Sequence, residues 1–593
     1  SRPWGQGLAA EQQLGDDAAQ RAANVAALMG MQATEAIPED LDGQDEECGC
    51  WTPARPRAEF LAHLRHDAAD SASWPVLFPG SGREGLHFKA EFDGSNLRRV
   101  RSEGEGSSTL ELLLRGDAGR GSHQRWFFFD VEAAQQTNLR CHVITFTKEP
   151  SAFASGKQRI VALRPGECRW RWAGEDYATF PNRYSIGTGH KRHHTLAFSL
   201  RLESGCTRVA FWYPYLFGDV LADIRRLRPT AAFLNAHDLG PTPRGNRMLA
   251  LTITDFDSLH TDTKRPYVMI SARVHPGEVP ASFMMRGVLE LLLSDSAEAR
   301  ELRASLAFVV MPMLNPDGVA LGHCRANGSG LDLNRFWEHP PPDSEAEAAR
   351  CLLERLCKSP GGVVAFLDLH AHSGRPGAFT LSNPGTAELP DIIAGCAGPI
   401  FDRGLCTFSC TQAKRGSARC VAWRELGVMH AHTVEATYGA FPDGIHLVTP
   451  QHLAQFGQCL VRSCRVLLDR RPASSDQPQT FTDKSALKSR GGRATAAKAK
   501  AGPKSKASKK PSGVGCAQAA AEDTGACGPI THGRQRQSAS TSKAATSSVA
   551  TVAKEEASVV TGGAFTSALL KQRKGSRKPS QNSMGSQSRR QTD

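Results

Sequence analysis

Two residues of metal-binding type lie three positions apart in SARVHPGEVPAS, residues 271–282. His275 and Glu278 flank a Pro-Gly pair that follows the strand-like run YVMISARV and precedes a helix-like run. A sharp turn would bring the imidazole and the carboxylate to one side, where they could bind one zinc ion. The same residues suit an ordinary turn with a helix-capping glutamate. Taken alone, the segment favours the ordinary turn.

A catalytic zinc site needs a third protein ligand and one open position. The run VVAFLDLHAHSG places His370 and His372 at the end of another apolar stretch. In open α/β sheets, ligands collect beyond the carboxyl ends of the strands. Either histidine could therefore meet His275 and Glu278 at a common sheet edge.

Residues suited to binding a carboxylate follow a third strand-like run. The stretch MPMLNPDGVALGHCRANGSGLDLNRFW contains Arg325, Asn334 and Arg335. Arginine offers a rigid fork of donors for a carboxylate, and asparagine adds a further donor. A fourth strand-like run ends in HTVEATYG and brings Glu435 to the same edge. These residue types indicate chemistry at the carboxyl terminus of a peptide substrate.

The elements that must position these side chains form an α/β pattern over residues 223–471. Apolar strand-like runs alternate with segments of helical periodicity, which predicts a mixed, largely parallel central sheet with flanking helices. The strands are RMLALTITD, YVMISARV, LAFVVMPML, VVAFLDLHA and AHTVEA, and the helices are PASFMMRGVLELLLSD, SEAEAARCLLERLCK and TPQHLAQFGQCLVRSCRVLLDR.

A different pattern precedes this region. Residues 84–222 contain short alternating or apolar runs separated by turn residues, which predicts an antiparallel β-sandwich domain. The runs are LHFKAEF, STLELLLR, RWFFFDVE, LRCHVITFT, RIVALR, HHTLAFSLRL and TRVAFWYPY. Residues 1–83 read as a partly disordered extension with one helix near DDAAQRAANVAALMGM.

The net charge of +12 is concentrated in the last part of the chain. Residues 474–593 carry 21 Lys and Arg against 7 Asp and Glu, so the remainder is close to neutral. After residue 471 the only aromatic residues are Phe481 and Phe565. Because such a segment cannot bury enough apolar surface to offset its ordering entropy, we expect residues 472–593 to form a disordered basic tail.

The cysteines and the hydropathy of the sequence indicate the cellular compartment. The 16 cysteines are scattered, with several in apolar runs, such as Cys351, Cys357, Cys459 and Cys464. This pattern favours buried thiols in a reducing compartment over a secreted disulfide scaffold. We find no run of 18 apolar residues and no signal-peptide stretch at the start, so we expect neither a membrane span nor a leader.

Five motifs in one order resemble the zinc carboxypeptidase superfamily: HPGE, NPDG, DLNR, HAHS and VEATYG. The resemblance is greatest to its cytosolic carboxypeptidase branch, the enzymes that remove glutamates from tubulin tails. It is carried by RVHPGEVPASFMMRGVLELLL, VVMPMLNPDGV, GLDLNRFW, LDLHAHS and SARCVAWRELG, with an upstream all-β domain, and covers about residues 84–471.

The resemblance implies a role for each motif residue and one Zn²⁺ ion as cofactor. A zinc-activated water would attack the scissile carbonyl of a C-terminal or side-chain glutamate, most notably on tubulin. The implied roles are zinc ligands for His275, Glu278 and His370, with His372 the weaker candidate; orientation of His275 for Asp332; the terminal-carboxylate clamp for Asn334 and Arg335; the oxyanion donor for Arg325; and the general base for Glu435.

A glutamate-removing enzyme needs a basic specificity pocket. The stretch TQAKRGSARCVAWRE supplies Lys414, Arg415, Arg419 and Arg424. Arg419 is the leading candidate because it stands in the branch-like SAR position. The alternative is that all four are ordinary solvated charges. Tyr438, just past Glu435, need not be the tyrosine that secreted relatives place over the substrate terminus.

Other functions share parts of this pattern. One is a catalytically inactive tubulin-binding relative, which would have lost a ligand or the base. Another is a zinc-dependent deacylase or amidohydrolase. The basic tail is either a solvated extension or an electrostatic arm for acidic proteins such as polyglutamylated tubulin. Few aromatic residues are available for base stacking, which argues against specific nucleic-acid binding. A cytoplasmic location with microtubule association follows from the resemblance.

Overall fold

The computed structural model describes residues 85–102, 107–118, 123–185, 191–227, 233–259 and 264–471. The predictions for residues 1–83 and for the basic tail lie outside these ranges. Within them, no helix combines the length and the apolar character that a membrane crossing would require.

Ten strands and two helices make up the amino-terminal part of the described chain. The strands form two five-stranded sheets, ordered β1-β4-β10-β6-β7 and β2-β3-β5-β9-β8. In chain order the elements are β1 (Leu86–Lys89), β2 (Arg99–Ser102), β3 (Thr109–Leu113), β4 (Phe128–Ala133), β5 (Thr137–Phe146), α1 (Ser151–Ala154), β6 (Ile160–Leu163), β7 (Arg171–Ala173), β8 (Glu175–Ser185), β9 (Arg192–Leu202), β10 (Gly205–Ala210) and α2 (Phe217–Leu227).

The predicted antiparallel arrangement of this part is confirmed, with one pair that differs. Strands β3 and β5 pair in parallel, whereas the other neighbours in both sheets are antiparallel. All seven predicted runs contain a strand, and β2, β7 and β8 had not been predicted. The predicted domain boundary after residue 222 falls inside helix α2.

An eight-stranded sheet forms the centre of the carboxy-terminal part, in the order β11-β12-β14-β13-β15-β18-β16-β17. The neighbours β14, β13, β15 and β18 are parallel, which confirms the largely parallel core of the sheet. The strands are β11 (Leu234–Pro241), β12 (Arg247–Ile253), β13 (Tyr267–Ala272), β14 (Ala307–Met311), β15 (Val363–His372), β16 (Ala378–Ser382), β17 (Thr407–Phe408) and β18 (His430–Thr437).

Helices flank this sheet, and several of them begin with a side-chain cap. Ser344 caps the seventh helix through the Glu347 amide, and Thr449 forms a capping box with His452. The helices are α3 (Phe256–Leu259), α4 (Pro280–Leu292), α5 (Ala297–Ser305), α6 (Pro316–Ala320), α7 (Glu345–Lys358), α8 (Glu388–Cys396), α9 (Ala418–Arg424) and α10 (Pro450–Asp469), with single 3-10 turns at Leu333–Arg335, Gly398–Ile400, Arg403–Leu405 and Gln412–Lys414.

Strand β13 shows how the sheet is covered on both faces. Val268 and Ile270 belong to a core cluster shared with α4, α10 and the β-sandwich. Tyr267 and Met269 belong to a second cluster shared with α7 and α9. Because successive strand residues face opposite sides, an entirely apolar strand implies helices on both faces.

The β-sandwich packs against the start of α4. Trp212 and Tyr215 follow β10, and both contact Phe283 with ring centroids 5.6 and 5.3 Å apart. Helix α4 begins two residues after Glu278. The two parts of the chain therefore share one hydrophobic core directly behind the HPGE turn.

The cysteines differ in part from the buried thiols expected. Cys464 is a buried free thiol, but Cys351 is exposed. Cys459 is paired with Cys396 in a disulfide that joins α10 to α8. The expectation of a buried free thiol is therefore wrong for Cys459. Its disulfide partner lies 63 residues away on another helix, so no local sequence pattern identifies the pair.

Candidate active site

Three side chains converge beyond the carboxyl ends of β13 and β15. His275, Glu278 and His370 present ligand atoms that all lie within 4.8 Å of one another. Glu278 Oε1 lies 2.9 Å from His275 Nδ1, and Glu278 Oε2 lies 2.8 Å from His370 Nδ1. One carboxylate thus stands between the Nδ1 atoms of two buried imidazoles.

The outer nitrogens of both imidazoles face carboxylates. His275 Nε2 lies 3.1 Å from Asp332 Oδ1, and His370 Nε2 lies 2.7 Å from Asp368 Oδ2. A proton held on each Nε2 leaves each Nδ1 lone pair directed at the centre of the group, which is the arrangement of zinc-binding histidines. The donor set of two imidazoles and one carboxylate fits a catalytic zinc ion.

Electrostatics in this cluster follow from burial and close charges. Burial would raise the pKa of Glu278, but the two adjacent histidines outweigh it and hold that pKa well below its usual value. For His370, burial opposes protonation, yet Asp368 and Glu278 raise its pKa well above the ordinary range. The Glu278 carboxylate therefore retains its negative charge, as binding of a divalent cation would require.

Hydrogen bonds from several directions hold the backbone of the HPGE turn. Arg273 has a left-handed backbone (φ 60°), and its buried guanidinium donates to the carbonyl of Pro276. The Tyr438 hydroxyl donates to the Gly277 carbonyl at 2.6 Å, and the Gly277 amide donates to the Cys324 carbonyl at 3.0 Å. A Cβ on Gly277 would lie 2.9 Å from that Cys324 oxygen, so a glycine is needed there.

Glu435 stands beside the metal ligands on the neighbouring strand. It is in register with His370 across the parallel pair of β15 and β18. Burial raises the pKa of Glu435 to about 7, while His370 opposes the rise and Glu278 adds to it. A carboxyl group with a pKa near neutrality can accept and return a proton at physiological pH.

The three candidate metal ligands line a cleft of about 420 Å³. Arg325 Nε donates to Asp332 Oδ2 at 2.7 Å, and neither Nη atom has a hydrogen bond to the described residues. Asp332 thus touches both His275 and Arg325. Burial would raise the pKa of Asp332, but the hydrogen bond and charge of His275, together with Arg325, hold it well below the usual value. The cleft is lined by His275, Glu278, Arg325, Asn334, Arg335, His370, Leu381, Lys414, Ser417, Arg419, Thr433 and Glu435.

Asn334 lines this cleft but already has partners. Its Oδ1 accepts from the Ala418 amide at the start of α9, at 2.9 Å. Its Nδ2 lies 3.2 Å from His370 Nε2. That approach is not a hydrogen bond while His370 donates its Nε2 proton to Asp368, so Nδ2 remains a donor for a ligand. Arg335 donates to the Asn334 carbonyl at 2.7 Å.

The four basic candidates for specificity separate into two pairs. Lys414 and Arg419 line the cleft, whereas Arg415 and Arg424 both form ion pairs with Glu338 at 2.9 Å. Burial, followed by the charges of neighbouring arginines, lowers the pKa of Lys414. Two of the four positions are therefore ordinary surface ion pairs.

Arg419 is buried and anchored by one end of its guanidinium. Nη1 donates to the Ser382 carbonyl and to Asn383 Oδ1, both at 2.7 Å, and to the Ser409 carbonyl at 3.1 Å. Nε and Nη2 make no hydrogen bond within the described part of the chain. Because the side chain lines the cleft, these two donors remain for a ligand.

Two residues near the motifs lie outside the metal group. His372 packs its ring against Phe379, with centroids 4.7 Å apart, and burial lowers its pKa to about 4. Tyr438 is buried and bonded to the HPGE turn rather than placed over the cleft. Its role in the structure is to hold the turn.

Sequence reasoning missed two acidic residues beside this site. Asp368 lies two residues before His370, and alternate strand residues share a face, so the D-x-H spacing was a usable signal. Asp117 lies in the β-sandwich and bonds to the backbone around Arg325. No local pattern connects it with a segment about two hundred residues away.

Comparison with known proteins agrees with this geometry. Residues 220–370 match the family model described as zinc carboxypeptidase, Peptidase_M14. Cytosolic carboxypeptidase 1 of Gallus gallus is 31% identical over 401 residues, which cover 59% of this chain and 32% of that protein. Cytosolic carboxypeptidase 4 of Mus musculus is 31% identical over 429 residues, which cover 65% and 38%. The resemblance found in the motifs is confirmed.

Solved structures agree at the level of the fold. A metallo-carboxypeptidase from Burkholderia cenocepacia superposes with a TM-score of 0.53 at 21% identity, over 65% of this chain and 99% of that chain. The chain spans about a third of the length of the two curated relatives above.

Proposed function

We propose that the chain is a zinc-dependent metallocarboxypeptidase that removes glutamates from acidic proteins, with polyglutamylated tubulin as the substrate. The match of residues 220–370 to the zinc carboxypeptidase family model supports this proposal. The observation that carries the proposal is the convergence of His275, Glu278 and His370 beside Glu435 in one cleft. When bound, zinc would polarise the scissile carbonyl and acidify a water molecule.

Glu435 is the general base of the proposed reaction. Its raised pKa suits a group that takes a proton from the attacking water and returns it to the leaving amine. Arg325 is proposed to stabilise the oxyanion, since Asp332 holds its Nε and leaves both Nη atoms for the substrate. Removal of a single residue also requires recognition of the free carboxylate, which we assign to Asn334 and Arg335.

The test of this function uses purified protein and polyglutamylated tubulin. We expect free glutamate and shortened side chains with the wild type, loss of both after treatment with a zinc chelator, and recovery when zinc is restored. Glu435→Gln should retain zinc and lower kcat by at least about 100-fold, because it removes proton transfer.

Two observations would contradict the proposal. One is the absence of glutamate release by the zinc-loaded wild type from tubulin and from peptides ending in glutamate. The other is a Glu435→Gln variant with wild-type turnover. Arg415→Ala is the matched control, because Arg415 pairs with Glu338 outside the cleft and should leave turnover unchanged.

We propose that Arg419 reads the side-chain carboxylate of the departing glutamate. Its anchored Nη1 fixes the guanidinium, and its remaining donors are available to a carboxylate in the cleft. Arg419→Ala should lower kcat/KM about 10- to 100-fold for a peptide ending in Glu, the loss expected for a hydrogen bond to a charged group. A peptide ending in Leu should lose much less.

The comparison of the two peptides separates recognition from folding. Because Arg419 also supports the segments around Ser382 and Ser409, a structural effect would reduce turnover of both peptides equally. An equal loss would therefore remove the specificity role and leave the general function standing. Arg424→Ala, another Glu338 partner, should change neither value.

A further inference from the structure

One carboxylate of the β-sandwich accepts hydrogen bonds from three consecutive backbone amides of the catalytic part. Asp117 Oδ1 accepts from Cys324, and its Oδ2 accepts from Arg325 and Ala326, each at 2.7 Å. The Asp117 side chain is buried, with 4% of the residue exposed. A negative charge is thus enclosed by amide donors from a segment about two hundred residues away in sequence.

The main-chain amides of this segment find their acceptors in two places. The amides of Leu321, Gly322 and His323 bond back into the last turn of α6. From Cys324 to Ala326 the amide partner is Asp117 instead. Without that carboxylate, three amides in a largely buried segment would lose their acceptor, which folded chains rarely tolerate.

The contact reaches two parts of the active site. Arg325 itself donates to Asp117 through its main chain, while its side chain lies in the cleft. The Cys324 carbonyl accepts from the Gly277 amide in the middle of the HPGE turn. Asp117 therefore joins the backbone beneath the proposed oxyanion donor to the turn that carries two metal ligands.

Neighbouring contacts attach the same segment to the β-sandwich but do not involve Arg325. The Gly94 amide donates to the Ala320 carbonyl at 2.9 Å, and Asn96 Nδ2 donates to the Gly322 carbonyl at 3.0 Å. These bonds fix the segment before Arg325. Asp117 alone, among the described residues, binds the amide of Arg325.

We infer that Asp117 is a positioning residue for Arg325, so that the β-sandwich completes the active site rather than only flanking it. The inference rests on the proposed role of Arg325 in stabilising the oxyanion. A misplacement of about 1 Å can reduce turnover about 100-fold, so releasing this backbone should affect the rate far more than substrate binding.

Amide hydrogen exchange tests the contact without any assay of activity. In the full chain, Asp117→Asn loses the charge and turns one acceptor into a donor, so peptides covering residues 320–327 should exchange faster than in the wild type. Asp130→Asn is the matched control. Asp130 is a buried carboxylate of the same sandwich, but it pairs with Arg208 and should leave residues 320–327 protected. Unchanged exchange in Asp117→Asn would overturn the inference.

Kinetics then tests whether Asp117 acts through Arg325. We expect Asp117→Asn to lower kcat by about 10- to 100-fold with little change in KM and in zinc content. In an Arg325→Ala background the same change should cost less than about 3-fold, because coupled residues are not additive. Equal losses in both backgrounds would mean that Asp117 has a general structural role and would overturn the inference.

The remaining outcomes are distinguishable. If the wild type has no carboxypeptidase activity, the proposed function fails, while hydrogen exchange still decides whether Asp117 holds the segment. If Arg325→Ala is fully active, the assigned role of Arg325 fails and the inference with it. If Asp117→Asn does not fold, Asp117→Glu keeps the charge and displaces it by one methylene, and the same two measurements apply.

Discussion

The two histidines of the metal group have the same arrangement of hydrogen-bond partners, but a different carboxylate supports each of them. Each histidine directs Nδ1 towards Glu278 and Nε2 towards a carboxylate. Asp332 is shared between His275 and Arg325, whereas Asp368 accepts from the Ser271 hydroxyl at 2.9 Å and lies beside His370. Asp368 can therefore be changed without disturbing Arg325 directly.

Asp368→Asn should weaken zinc binding by about 10- to 100-fold, the usual effect of removing a carboxylate that supports a ligating histidine. The amide oxygen still accepts from His370 Nε2 but no longer raises the basicity of the imidazole. Competition with a chromophoric chelator measures the dissociation constant. Ser271→Ala, which removes only a partner of Asp368, should have a smaller effect. An unchanged zinc affinity in Asp368→Asn would contradict the assignment.

At the scale of elements, the position of α4 depends on its contact with α10. The backbones of the two helices approach closely at a pair of glycines. A Cβ on Gly287 would lie 1.8 Å from the Ala454 carbonyl oxygen, and one on Gly457 would lie 1.9 Å from the Met284 carbonyl oxygen. Because α4 starts just after Glu278, this crossing also sets where the HPGE turn leads into the helix.

Gly287→Ala should lower the free energy of unfolding by about 1–3 kcal/mol, since the added methyl group forces two helix backbones apart. Denaturant titration measures the change. Gly395→Ala is the matched control: it lies in α8, a Cβ there meets nothing within 4 Å, and alanine should be neutral or stabilising by up to about 1 kcal/mol. Equal stability of Gly287→Ala and the wild type would show that the helices can separate without cost.

At the scale of the whole molecule, charge is unevenly distributed along the sequence. Residues 474–593 hold an excess of Lys and Arg, whereas the rest of the chain is nearly neutral. We propose that this basic tail acts as an electrostatic arm for acidic protein substrates. Such attraction weakens with added salt because exposed charges are screened over about 10 Å at 0.1 M ionic strength.

Deleting residues 474–593 should reduce cosedimentation with microtubules at low salt and make binding nearly independent of salt. Hydrolysis of a short peptide should not change, since the cleft is formed by residues before the tail. Replacing the lysines of KAKAGPKSKASKK by glutamine is the matched control for charge at constant length. Cosedimentation that is identical with and without the tail, at every salt concentration, would exclude the docking role.

Much of the fold could be predicted because local periodicity reports which faces of an element are buried. The apolar runs of β13, β14, β15 and β18 predicted central strands with helices on both sides. Of the six unpredicted strands, β2, β7, β8, β11 and β17 lie at sheet edges, whereas β16 lies between β18 and the two-residue β17. Edge strands pair on one side only and carry more polar residues, so their sequences lack a clear apolar pattern.

The sequence by itself determined the chemistry available at the site: two histidines, two glutamates and several arginines, each placed at the end of a predicted strand or in the loop after it. Tertiary structure decided how those groups are used. It brought Arg419 into the cleft while Glu338 neutralised Arg415 and Arg424, and it connected Asp117 to Arg325. The physical reason is that periodicity records burial within one element, whereas these contacts join elements far apart in sequence.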